Sequence, residues 1–216
     1  MGLRKITYIL IISFIAAFLI RTIGTLFPHV FKNIYVVKVS IIVNTFFIIV
    51  HFLFWVFFLT EYASNRQQIL RTGIILAIIG TLAIACIYIK NLCLVFEIEV
   101  IPLFLMNPYF DAFIPLISSL FHFLFYYIFK KVQTRDEYRV LNLPIISAMI
   151  GIVVFMALHL IVIINFLIFQ KFDWLEHMPR IIAMSTIPFI AFSTILILYF
   201  YSKFYQFLRL NRLSNI

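Results

Sequence analysis

Charge is what this chain has least of. Only 12% of its 216 residues are Asp, Glu, Lys or Arg, eight of them acidic, while 65% are apolar. A water-soluble domain of this size needs a charged coat over most of its surface, so the composition excludes a soluble fold. Two cysteines are too few for a disulfide framework. Cys86 and Cys93 stand seven positions apart, so on a continuing helix they point the same way and cannot bridge each other. Catalytic signatures are missing as well: there is no His-Glu-x-x-His, no Gly-x-Ser-x-Gly and no phosphate loop. Every Asp and Glu lies at or beyond the edge of an apolar run, which leaves no embedded carboxylate pair for intramembrane hydrolysis. The longest polar stretch, Lys130 to Asn142, is too short to fold as a soluble module. These absences make a non-enzymatic role the expectation.

What the chain does have is six apolar runs, each bounded by charge. A helix needs about 20 mostly apolar residues to cross the hydrocarbon core. Candidate spans cover approximately 6–27, 39–60, 73–89, 112–129, 143–169 and 181–201. The expected fold is therefore an all-α integral membrane protein, a six-transmembrane-helix bundle forming one polytopic domain over residues 1–216. No small-x-small cleavage site follows Ile20, so the first run reads as an uncleaved span.

Orientation follows from the bias of Lys and Arg across short loops. With both termini cytoplasmic, eleven of the seventeen basic residues fall on the inner side. The other six are Arg21, Lys32, Lys38, Lys90, Lys171 and Arg180. Tyrosines near the run ends, among them Tyr62, Tyr126 and Tyr201, read as rings at headgroup level. The net charge of +9 then lines the cytoplasmic rim, where its partners are anionic lipid headgroups rather than nucleic acid. The aromatic and basic tail from Ser202 to Arg212 reads as an interfacial extension of the last helix. Heavy use of Ile, Phe, Asn and Lys points to an AT-rich genome and a bacterial cytoplasmic membrane.

Between the third and fourth runs, residues 91–110 are too apolar for a free loop and too short to cross and return. Glu97 and Glu99 interrupt this stretch, and Pro102 and Pro108 stop a continuous helix. An interfacial or re-entrant segment over the outer face is expected, with the two glutamates as ligand-binding candidates. In the third run Gly73, Ala77 and Thr81 share a face, as Ser147 and Gly151 do in the fifth, a pattern of close helix contact. It admits packing inside the bundle, a homo-oligomer seam or a partner membrane subunit, and it places the third and fifth helices near the bundle centre.

Ionisable groups inside spans are costly and mark functional positions. His51, His122 and His159 qualify. At about 1.5 Å per residue, His51 lies roughly 15 Å from the inner border and His122 roughly 12 Å, while His159 sits about 10 Å nearer the outside. Asn44 shares a face with His51 seven residues on, Trp55 follows it by one turn, and Ser118 precedes His122 by one. Arg21, six positions short of the outer end of the first run, either snorkels to the headgroups or turns inward to pair with Glu97, Glu99 or Asp111.

Three functions remain open on these residues. The first is binding or passage of a small ligand within the bundle, as a permease-like or sensory subunit, through Arg21, Asn44, His51, His122, His159, Glu97 and Glu99. The second is a redox subunit in which His51 and His122 hold haem b or a transition metal. The third is a structural or assembly subunit.

Overall fold

The computed structural model describes residues 2–27, 33–63, 67–98, 108–169 and 180–213. Six α-helices carry the fold: α1 (Leu3–Leu26), α2 (Ile34–Phe57), α3 (Gln68–Val95), α4 (Pro108–Lys131), α5 (Arg135–Phe169) and α6 (Arg180–Leu213). All six are long and apolar enough to cross a membrane, which makes the chain a multi-pass membrane protein. No strand occurs among the described residues.

Each helix packs against its neighbours in chain order, and α1 against α6 closes the circle. The expectation that the third and fifth helices sit at the centre is corrected by this ring. Their small residues serve contacts between neighbours instead. A Cβ on Gly80 of α3 would lie 3.1 Å from the Ser118 carbonyl oxygen of α4. A Cβ on Gly151 of α5 would lie 2.8 Å from the Ser193 carbonyl oxygen of α6. Outward faces such as Ile12, Ile15 and Leu19 of α1, or Ile42, Phe46 and Ile49 of α2, present exposed apolar side chains at helical spacing.

The first turns of α1 and the last turns of α6 lie side by side, with Tyr8 and Tyr205 ring centroids 5.8 Å apart. At this end the ring is filled by aromatic side chains of α2, α4 and α6. Trp55 meets Phe125 at 4.5 Å, Phe58 meets Phe204 at 5.1 Å and Tyr126 meets Phe200 at 4.8 Å between centroids. The first and third are edge-to-face and the second is stacked, and aromatic pairs of either kind contribute about 0.5–1.5 kcal/mol each beyond their burial. All six rings are fully buried.

Two carboxylates tie the same end together. After α2 the chain winds into one wide turn over Phe58–Tyr62, with the Ala63 N–H reaching the Phe58 carbonyl at 3.0 Å. This turn carries Glu61 to α1, where Oε2 accepts from the Leu3 N–H at 2.9 Å and meets the positive end of the helix dipole. It also carries Tyr62 to Glu137, whose carboxylate accepts from the Tyr62 hydroxyl. Glu137 Oε2 accepts from the Thr134 N–H at 2.7 Å, while the Glu137 N–H reaches Thr134 Oγ1 at 3.4 Å. This is a capping box, and it starts α5 at Arg135, eight residues before the expected boundary at residue 143. Glu137 is thus a buried tie between the wide turn after α2 and the start of α5.

At the other end α3 continues through Asn91 and Cys93 to Val95 and stops in a Schellman turn. The Ile98 N–H reaches the Cys93 carbonyl at 2.9 Å, and Glu97 takes φ 55°. Residues 99–107, with Glu99 and the body of the expected re-entrant segment, lie outside the described residues. Lys90 and Asp111 pair across α3 and α4 beside that segment.

Candidate functional site

The aromatic fill occupies only the end of the ring that holds the two chain ends. Above it a chamber of about 330 Å³ remains, lined by residues from all six helices. Its floor consists of side chains one layer above the plug. His51 of α2 and His122 of α4 stack with ring centroids 5.3 Å apart and planes at 21°. Helices α2 and α4 therefore meet through side chains across the ring, at the common depth that residue counting gave the two histidines.

Hydrogen bonds fix what each imidazole offers. Nε2 of His51 accepts from the Trp55 indole N–H at 3.0 Å, so it carries no proton, and the Tyr201 hydroxyl lies 2.9 Å from the same nitrogen. Nδ1 of His122 donates to the Ser118 carbonyl at 2.7 Å, and Nε2 lies 3.2 Å from Thr81 Oγ1. The tautomers follow from these partners. Stacked rings direct their nitrogens along roughly parallel planes rather than at a point between them. Three of the four nitrogens already meet protein partners, so the pair fits a hydrogen-bonded floor better than two axial ligands of one iron. No group of three His, Cys, Asp or Glu side chains able to hold a metal occurs among the described residues.

Two tyrosines complete the floor. Tyr201 and Tyr126 were expected at the headgroups; both are buried. The physical reason is packing across the ring: Tyr201 meets Phe54 and His51 of α2 edge-on, and Tyr126 meets Phe200 of α6. The Tyr126 hydroxyl sits beside that of Tyr201. Its oxygen is fully buried there.

Seven residues further along, the same helix faces carry a second polar level. On α1, the exposed Arg21 reaches α2 and α3: its Nε donates to Asn44 Oδ1 at 2.9 Å, and its guanidinium carbon lies 5.8 Å from the centre of the Tyr88 ring. Asn44 is buried and is itself held, donating from Nδ2 to the Ser40 carbonyl at 2.7 Å. It is the positioning residue for Arg21 and stands behind it rather than at the chamber wall. His159 of α5 joins this level, its Nδ1 donating to the Phe155 carbonyl at 2.9 Å.

Of the sequence-derived candidates, the structure brings Arg21, His51, His122 and His159 to one chamber, with Asn44 behind them. Glu97 stands apart, exposed on the Schellman turn. Asp111, an imagined partner of Arg21, is engaged by Lys90. Thr81, Tyr88 and Tyr201 are lining residues that reading the sequence missed, while Tyr126 follows His122 by one turn. The available signal was the seven-residue register: Thr81 precedes Tyr88 as Asn44 precedes His51.

Fold and site together define a six-helix membrane protein built as a closed ring around an internal, mostly apolar chamber. Compared with known proteins, the chain matches no family model, no curated protein and no solved structure.

Proposed function

We propose that this protein binds a small, largely apolar ligand inside the helix ring, as the binding or sensory part of a membrane system. The observation that carries the reading is convergence: three histidines and an arginine from four helices meet at one cavity. Isolated polar groups in a membrane interior are expensive, and a mostly apolar pocket with a few convergent polar groups is the usual form of a ligand site. Binding is favoured over passage because buried rings from α2, α4 and α6 fill the ring below the floor.

In this reading the chain ends face the cytoplasm of a bacterial cell, following the Lys and Arg bias, and the basic rim meets anionic headgroups. The test uses a neutral probe, 1-bromooctane, whose bromine quenches indole emission. In nanodisc-reconstituted Trp174→Phe protein, Trp55 is the remaining indole. Quenching should be saturable, and Ala17→Phe should abolish the saturable part, because Ala17 is a buried wall residue with no side chain to spare. Quenching that never saturates, or that Ala17→Phe leaves unchanged, refutes the chamber.

A further inference from the structure

The three histidines of the chamber do not offer it the same thing. His122 and His159 each turn Nδ1 back onto the carbonyl one turn earlier in their own helix, Ser118 at 2.7 Å and Phe155 at 2.9 Å. A carbonyl only accepts, so both rings carry a proton on Nδ1 and keep Nε2 as the acceptor. His51 is held the other way round. Its Nε2 takes the Trp55 indole N–H at 3.0 Å, with the Tyr201 hydroxyl at 2.9 Å, and an indole nitrogen can only donate. The one proton of the ring therefore sits on Nδ1.

That N–H takes up neither a carbonyl of its own helix nor any other partner among the described residues, and the ring that carries it lines the chamber. Phe47 and His122 stack on the imidazole at 5.7 and 5.3 Å between centroids, and the contacts at Nε2 stop it from turning. The donor is thus held in place before any ligand arrives, which lowers the entropy lost on binding. A donor left open in a mostly apolar cavity is a free-energy loss that a ligand acceptor recovers.

The surroundings decide which acceptor fits. Arg21 is the charged side chain that lines the chamber, and it is bonded to Asn44, seven residues or about 10 Å along α2 from His51. An anion brought to the floor would be buried without a counter-charge beside it, which costs more than one hydrogen bond returns. A carbonyl oxygen accepts without carrying charge. Resting on the chamber reading above, we propose that the ligand is a neutral, lipophilic carbonyl compound whose oxygen accepts from Nδ1 of His51. Its hydrocarbon part lies against apolar walls such as Phe14, Phe47, Ile84 and Ile152.

The experiment displaces 1-bromooctane from the Trp174→Phe protein in nanodiscs, read by recovery of Trp55 emission. The displacing probes are 2-octanone, 2-methyl-1-octene and octanoate, each expressed per mole of lipid. The alkene has the shape of the ketone, with a methylene group in place of the oxygen. The ketone should displace about fivefold better than the alkene, the difference for one neutral hydrogen bond, and better than octanoate. Replacing His51 by Nδ-methylhistidine blocks Nδ1 and leaves Nε2 to Trp55 and Tyr201. It should erase the ratio between ketone and alkene while quenching stays saturable. A second measurement needs no variant: the carbonyl stretch of bound, isotope-labelled 2-octanone should lie at lower frequency than in empty nanodiscs.

Equal displacement by ketone and alkene, a ratio that survives methylation, or an unshifted stretch overturns the contact with His51 while leaving the chamber standing. Octanoate as the strongest displacer overturns the neutral class. Bromooctane quenching that never saturates in the unmethylated protein overturns the chamber itself.

Discussion

Replacing Gly151 by alanine places a methyl group where α5 and α6 have no room for one. The new Cβ would stand 2.8 Å from the Ser193 carbonyl oxygen and 3.2 Å from both Ile197 Cγ1 and Leu196 Cβ. The first of these contacts is to backbone, which cannot rotate away as a side-chain tip can. Restoring an ordinary separation requires the helices to part by about half an ångström, an overpacking strain worth about 1–3 kcal/mol. The same shift stretches the 2.7 Å bond from Ser193 Oγ to the Gly151 carbonyl. Interhelical hydrogen bonds in membranes average about 0.6 kcal/mol, so a further few tenths are lost. Alanine returns about 0.8–1.0 kcal/mol of helix propensity. The net expectation is a loss of up to about 2.5 kcal/mol, centred near 1.5, on those terms. Gly73→Ala supplies the contrast, because its closest neighbour is the Cδ1 tip of Ile128 at 3.2 Å, which can swing aside. There the propensity gain should dominate, leaving the variant neutral or more stable by up to about 1 kcal/mol. Reversible unfolding in mixed detergent and SDS micelles, followed by helical circular dichroism, measures both. Gly151→Ala as stable as Gly73→Ala would refute the packing argument and the helix spacing beneath it.

Glu97 holds a left-handed φ of 55°, a conformation that costs a side-chain-bearing residue about 1–2 kcal/mol and a glycine almost nothing. Glu97→Gly should therefore raise the thermal midpoint in detergent; a lowered midpoint would mean that the side chain holds the turn. Lys90 is buried while Asp111 is partly exposed, so Lys90→Met should cost less than the roughly 3–5 kcal/mol of breaking a fully buried pair. The double variant Lys90→Met/Asp111→Leu should recover most of that loss in the same unfolding assay, and failure to recover would mean that the pair matters through its charge.

Most of the architecture could be read from the chain because a bilayer allows so little else. Spans of about 20 apolar residues bounded by charge have one available structure. Counting 1.5 Å per residue from those boundaries was enough to put His51 and His122 at one depth. Helix ends were less legible, since they obey local hydrogen bonding rather than hydropathy. The capping box of Thr134 and Glu137 starts α5 within a polar stretch, whereas the run of α6 past Tyr201 follows the aromatic and basic tail that reads as its extension. The contact of Arg21 with Asn44 joins two helices, and no spacing within one helix encodes that. Tyr126 and Tyr201 were misplaced because a tyrosine near a run end has the same local signature at a headgroup as in a core. What distinguishes the two is the neighbouring helix, which only the closed ring supplies.

That closure also imposes an order of events. The plug beneath the chamber draws its rings from α2, α4 and α6, and α1 finds its second neighbour only in α6. While the ribosome is still making the fifth helix, Phe54, Phe58 and Tyr126 have no Phe200, Tyr201 or Phe204 to pack against. One flank of α1 faces lipid over the same interval. The chamber has no complete floor until the sixth of these helices arrives, so the floor is completed in a single step of synthesis.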